Sequence, residues 1–134
     1  MSTFNDYNQT VIAQFRANGG NIEGRPLLLL TTTGARSGQP RTTPLAYTLD
    51  GDSIVIIASK AGAPTNPDWY HNLLANPTVT VEMGGERFQA QAALAPQQDR
   101  DRLYAQMVEH LPQFAEYQRK TSRQIPVVVL KRVA

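Results

Sequence analysis

Two short turns constrain this chain more than anything else in it. Asp50-Gly51 stands between the extended stretch Arg41–Leu49 and the strongly β-prone Ser53–Ser59, and Gly84-Gly85 stands between Thr78–Met83 and Arg87–Leu94. Asp-Gly and Gly-Gly between β-prone runs are hairpin signals, because a two-residue hairpin loop needs left-handed backbone. Strands joined this way are antiparallel neighbours. A doubly wound parallel sheet is therefore excluded, since it needs a helix after nearly every strand.

The remaining pattern fits around these hairpins. Pro26-Leu-Leu-Leu-Leu-Thr-Thr-Thr33 reads as a buried apolar run followed by β-branched residues, and Gly34–Gly38 as a turn. Pro44 marks Arg41–Leu49 as an edge or a bulge. Ile125–Val133 is a Val-rich closing strand. Phe4, Tyr7, Val11, Ile12 and Phe15 recur at helical spacing and predict a helix over 4–17, capped by Ser2 or Thr3 and stopped by Asn18-Gly19-Gly20. Its aromatic side either packs on the domain or lies on a membrane. A second helix, capped by Asn66 or Asp68, runs to about Ala75 and ends at Asn76-Pro77. A third spans Asp99–Tyr117, with Leu103, Met107 and Leu111 on one face and Pro112 kinking or splitting it. About six strands and three helices give an α+β chain, a small antiparallel β-barrel with helices packed outside. With 134 residues and no linker or repeat, residues 1–134 read as one domain, of which 1–20 form the N-terminal helical segment.

Composition narrows the chemistry. Hydrophobic residues make up 41% and charged ones 18%, so the chain is not a disordered one. Cysteine is absent, which excludes a disulfide framework, cysteine-ligated metal and a thiol nucleophile. His71 and His110 lie far apart without acid-rich ligand spacing, so no metal site is expected. The longest apolar run, Ile54–Ala58, is too short to span a membrane. No signal-peptide core occurs in residues 1–20, and a cytoplasmic protein is expected, with peripheral contact at the inner face of a membrane left open. The net charge is +2, but residues 24–49 carry Arg25, Arg36 and Arg41 without an acid. Residues 119–132 carry Arg119, Lys120, Arg123, Lys131 and Arg132, also without one. Such stretches suit an anionic small ligand, an acidic lipid surface or nucleic acid. The second lacks the interleaved aromatics of a nucleic-acid site, and no nucleic-acid partner is expected.

Walker A, G-x-G-x-x-G and G-x-S-x-G motifs are all missing. The informative stretch is Thr31-Thr-Thr-Gly-Ala-Arg-Ser-Gly-Gln-Pro-Arg41. A strand entering a Gly-bracketed turn can aim successive N–H groups at one anion, and Arg36, Arg41 and the Ser37 hydroxyl flank that point. The same glycines also suit a plain hairpin. A second stretch runs from Ile57-Ala-Ser-Lys60 through a Gly/Pro loop to Asn66-Pro-Asp-Trp-Tyr70. Trp69 either walls a planar heterocycle or plugs the barrel end. Together these read as a site for a planar, anionic cofactor that carries out the chemistry while the protein orients it.

These residues resemble the deazaflavin-dependent nitroreductase family, whose members use reduced coenzyme F420. The resemblance runs from about Leu28 to Val133. It rests on Thr31-Thr-Thr-Gly with Ser37-Gly-Gln-Pro-Arg41, Ala58-Ser-Lys60, Asn66-Pro-Asp-Trp-Tyr70, Ala75-Asn-Pro77 and Ile125-Pro-Val-Val-Val129. It implies a split β-barrel. It implies that Arg36, Ser37 and Arg41 hold the phosphate and acidic tail of F420. Thr43, Pro44, Ile57, Ala58, Ser59 and Lys60 would line the deazaflavin, with Asp68 and Trp69 closing over it. Hydride would pass to a quinone, an enone or a nitro-aromatic, with Ser59 and Tyr117 as substrate contacts and no catalytic side chain. Of the tyrosines common in the segment matching His110–Tyr117, only Tyr117 is present; Leu111 and Phe114 stand at the other tyrosine positions. Alternatives are an FMN- or FAD-binding split-barrel reductase and a non-catalytic F420 carrier. Oligomeric state is not legible.

Overall fold

The structure is a computed structural model; it describes residues 3–20 and 27–133, with side chains from residue 8 onward. In chain order the elements are α1 (Thr3–Ala17), β1 (Leu27–Thr33), β2 (Pro40–Ala46), β3 (Thr48–Asp50), β4 (Ser53–Ile57), α2 (Asp68–Ala75), β5 (Thr78–Met83), β6 (Glu86–Leu94), α3 (Gln97–His110), α4 (Gln113–Arg119) and β7 (Val127–Arg132). Arg25 lies outside the described residues, as do the side chains of Phe4 and Tyr7.

Seven strands form one antiparallel sheet in the order β2-β1-β5-β6-β7-β4-β3. The expected stretch Arg41–Leu49 is two strands rather than one, broken at Tyr47. The break has a topological reason. Its halves, β2 and β3, are the two outer edges of the sheet yet are contiguous in the chain, so the sheet must curl until its edges meet. The result is the expected small barrel with helices outside.

Alternation sorts the side chains. Leu28 and Leu30 of β1, Ile54 and Ile56 of β4, Val79 and Val81 of β5, Ala90 and Ala92 of β6, and Val128 and Leu130 of β7 fill the interior. On the outside, Val55, Ile57 and Val127 pack against Leu103, Tyr104 and Met107 of α3 and Phe114 of α4. Leu29 points outward and is covered by Ile12 and Phe15 of α1, so this part of the first helix packs on the domain. Pro112 splits the third expected helix into α3 and α4, because its ring cannot continue the ladder.

Strand polarity fixes where the loops emerge. Antiparallel pairing through β5, β6 and β7 leaves β1 and β4 running in the same direction. The turn after β1 (residues 34–39) and the loop after β4 (residues 58–67) therefore leave the barrel at the same end. The segment entering β7, residues 120–126, reaches that end too.

Candidate functional site

The turn after β1 is held by its own backbone and by one buried side chain. Gly34 N–H donates to Gln39 O (2.8 Å), Gly38 N–H to Gly34 O (3.0 Å), and Gln39 N–H to Ser37 Oγ (3.1 Å). Ala35 N–H donates to Asn72 Oδ1 (2.9 Å), while Asn72 Nδ2 donates to Thr32 Oγ1 (3.2 Å). Asn72 is only 7% exposed and pins the turn to α2. Among the described residues the N–H groups of Arg36 and Ser37 have no protein acceptor. The nest is thus two successive donors wide, with the Ser37 hydroxyl proton beside them.

Arg36 and Arg41 are both exposed. Five other arginines are ion-paired: Arg16 with Glu82, Arg100 with Asp101, Arg102 with Asp50, Arg119 with Glu116 and Arg132 with Glu86. Arg36 and Arg41 join no such pair among the described residues, so their forks stay available to an anion. The basic stretch 119–132 is mostly committed by contrast: Arg119 and Arg132 are paired, and Arg123 turns inward.

The loop after β4 carries three successive residues at positive φ: Lys60 (47°), Ala61 (54°) and Gly62 (83°). Left-handed backbone costs an L-residue about 1–2 kcal/mol, so Lys60 and Ala61 need outside support. Arg123 supplies it. Its Nε donates to Ala63 O (3.0 Å), Nη1 to Asn66 Oδ1 (2.6 Å), and Nη2 to Ser59 O (2.9 Å) and Ala58 O (3.3 Å). Burial lowers the pKa of this guanidinium from its usual very high value. A second layer steadies the first: Gln118 Nε2 donates to Arg123 O (2.8 Å), and Gln118 Oε1 accepts from Ile125 N–H (3.1 Å) and Arg100 Nη2 (2.6 Å). Gly62 sits against α4; a Cβ there would lie 2.8 Å from the Tyr117 carbonyl oxygen.

β3 pairs with β4 only from Ser53 to Val55, so Ile56 and Ile57 extend beyond it, and among the described residues no ladder joins β4 to β2 across the gap between the edges of the sheet. Register places Thr43 opposite Leu30, hence inward, and Pro44 opposite Leu29, hence outward. Ile57 and Ala58 likewise face opposite sides, outward and inward. Residues of opposite parity on both strands can share one ligand only across this gap. Ser59 is buried and Lys60 exposed, with its Nζ 3.5 Å from Thr65 Oγ1. Tyr117 is half-buried, edge-on to Phe114 at 5.0 Å.

Trp69 is 6% exposed and packs in the barrel core, one of the two places its position in the sequence allowed. The first turn of α2 points it there, and the interior offers the larger apolar burial. Neither Asn66 nor Asp68 caps α2: the N-cap is Pro67, Asp68 is the first helical residue, and the Asn66 amide is spent on Arg123. Arg123 and Asn72 are the functional-site residues that sequence reasoning missed. Arg123 was hidden in a basic run. Asn72 had a signal, a polar residue three positions after Trp69 on the buried stripe of a helix. A separate polar groove of about 520 Å³ lies outside β1, β5 and β6, lined by Thr31, Thr33, Thr78, Thr80, Arg87 and Gln89 among others; it touches the turn at Pro40 but includes none of residues 57–60.

The sequence model of the F420H(2)-dependent quinone reductases matches residues 7–132. The chain belongs to that family. An F420H(2)-dependent quinone reductase of Mycobacterium tuberculosis is 46% identical over 130 residues, covering 90% of this chain and 86% of the relative. Among solved structures, an F420-H2 dependent reductase superimposes with a TM-score of 0.73 at 41% identity, over 80% of this chain and 95% of that one. A domain-swapped dimer does so at 0.76 and 37%, over 92% of each chain. A haem storage protein of Vibrio cholerae shares the fold alone, with a TM-score of 0.62 at 17% identity, over 93% of this chain and 89% of that one. This family member is accordingly an oxidoreductase, a quinone reductase with coenzyme F420 as its cofactor. The donor set fits that cofactor: a phosphate-bearing tail needs guanidinium groups and N–H donors without protein partners, and the turn after β1 offers both among the described residues.

Proposed function

We propose that the deazaflavin lies between the outer edge of β2 and Ile57–Lys60. Arg36, Arg41, Ser37 and the free N–H groups of Arg36 and Ser37 grip its phosphate and glutamate tail. Thr43 and Pro44 border the ring from β2; Ala58 and Ser59 border it from the loop. Lys60 and Asp68 flank the opening, and Trp69 supports it from the barrel side. Bound reduced F420 supplies a hydride to the acceptor; the protein binds the two and holds them in register. The acceptor side is walled by Leu111, Phe114 and Tyr117, with Ser59 nearby. One phenolic hydroxyl in an otherwise apolar wall favours an apolar quinone over nitro-aromatics and enones.

The observation that carries this reading is the pair of exposed arginines that have no carboxylate partner among the described residues, at a turn with two N–H groups that have no protein acceptor among them. Titration of F420 and FMN into the purified protein tests it. F420 should bind and FMN should not. Arg36→Ala and Arg41→Ala should each weaken F420 binding by about 1.5–3 kcal/mol, the worth of a charge-assisted hydrogen bond. Unchanged dissociation constants in both variants would remove the clamp. An acceptor panel in steady-state oxidation of reduced F420 ranks quinones, enones and nitro compounds.

A further inference from the structure

Arg123 lies outside the proposed cofactor contacts, yet its fork holds the loop that supplies Ala58, Ser59 and Lys60. Four oxygens from residues 58, 59, 63 and 66 converge on one side chain. Among the described peptide bonds none is cis, so each carbonyl points opposite to the following N–H. Drawing the Ala58 and Ser59 carbonyls toward Arg123 therefore turns the N–H groups of Ser59 and Lys60 away from it. Neither has a protein acceptor among the described residues. The same fork spans the left-handed stretch Lys60–Gly62, binding the chain on both sides of it.

We propose that Arg123 is a positioning residue: it fixes the loop 58–66 in its left-handed conformation and so presents the Ser59 and Lys60 amides to the cofactor. This rests on the placement of the ring between β2 and the loop. A lysine would keep the charge but not the planar fork, and could not reach all four oxygens with fixed geometry.

The test uses the full chain carrying Arg123→Lys, with and without Ala61→Gly. Glycine accepts positive φ without penalty, so it should lessen the need for the clamp. The first readout is amide exchange without cofactor at Gly62 and Ala63, whose N–H groups bond to Ser59 O (2.9 Å) and Lys60 O (3.0 Å). In Arg123→Lys these two amides should exchange at least about tenfold faster while the β7 amides keep their protection. The dissociation constant for F420 should rise by about tenfold or more, and Ala61→Gly in the same chain should recover at least half of that loss on a logarithmic scale. Unchanged exchange at Gly62 and Ala63, equal acceleration throughout the barrel, or unaltered F420 affinity would each overturn the proposal. Wild-type protein that binds no F420 would instead overturn the placement of the ring, while the exchange result would still judge the clamp.

Discussion

Single side chains at this end of the barrel act through what they satisfy. Asn72 serves both Thr32 and the turn amide of Ala35 from a buried position. Asn72→Leu would leave both groups short of a partner and should cost about 1–3 kcal/mol, read as a lower urea midpoint with unchanged slope. It should also loosen the turn and weaken F420 binding. Tyr104 is a second buried case. Its hydroxyl donates to the Phe114 carbonyl, and burial raises its pKa above the ordinary tyrosine value, against opposing pulls from Arg100 and Arg123. The folded state resists ionisation that the unfolded chain accepts. The resulting stability is complete below the unfolded tyrosine pKa, near 10, and is lost as pH rises toward the folded value. Urea midpoints taken between about pH 9 and 11 should fall for wild type and fall less steeply for Tyr104→Phe.

Among the elements, the interface between α4 and the loop after β4 decides how the site is shaped. Gly62 combines a φ of 83° with the close approach of the Tyr117 carbonyl. Gly62→Ala meets both obstacles, and the conformational part alone costs about 1–2 kcal/mol. A thermal melt should show that loss, and F420 affinity should fall with it because the loop must shift. An alanine variant as stable and as tight-binding as wild type would show that the loop has slack. The strand elements were largely legible: the hairpins at Asp50-Gly51 and Gly84-Gly85 and the split at Pro112 follow from local chemistry. The break at Tyr47 was not. It lies in an ordinary Ala-Tyr-Thr sequence and exists only because one segment must serve both edges of a curled sheet.

For the whole molecule, a net charge of +2 hides Arg36 and Arg41 at one end of the barrel, exposed and in no ion pair among the described residues. Binding of the anionic F420 tail should therefore weaken as salt rises. The Debye length shrinks from about 10 Å at 0.1 M to about 3 Å at 1 M, so most of the loss should come from exposed Arg36 and Arg41. Titrations across that range should show a steep salt dependence in wild type and a shallower one in Arg36→Ala. Equal slopes would mean that the tail is held by neutral donors alone. The fold by itself does not set this preference, since the haem storage protein shares it at low identity.

The sequence by itself determined the hairpins, the end of α2 before Asn76-Pro77 and the Gly-bracketed turn with its two arginines, because these depend on φ preferences and spacing within a few residues. Its ordered motifs also pointed to a deazaflavin partner. Only the tertiary structure decided which charges are free and which are spent. Arg36 and Arg123 look alike in the chain, yet one stays in solvent and the other is drawn inward by four oxygens far from it in sequence. The reason is physical: a guanidinium takes its role from the acceptors that folding brings to it, and those acceptors lie about sixty residues away along the chain.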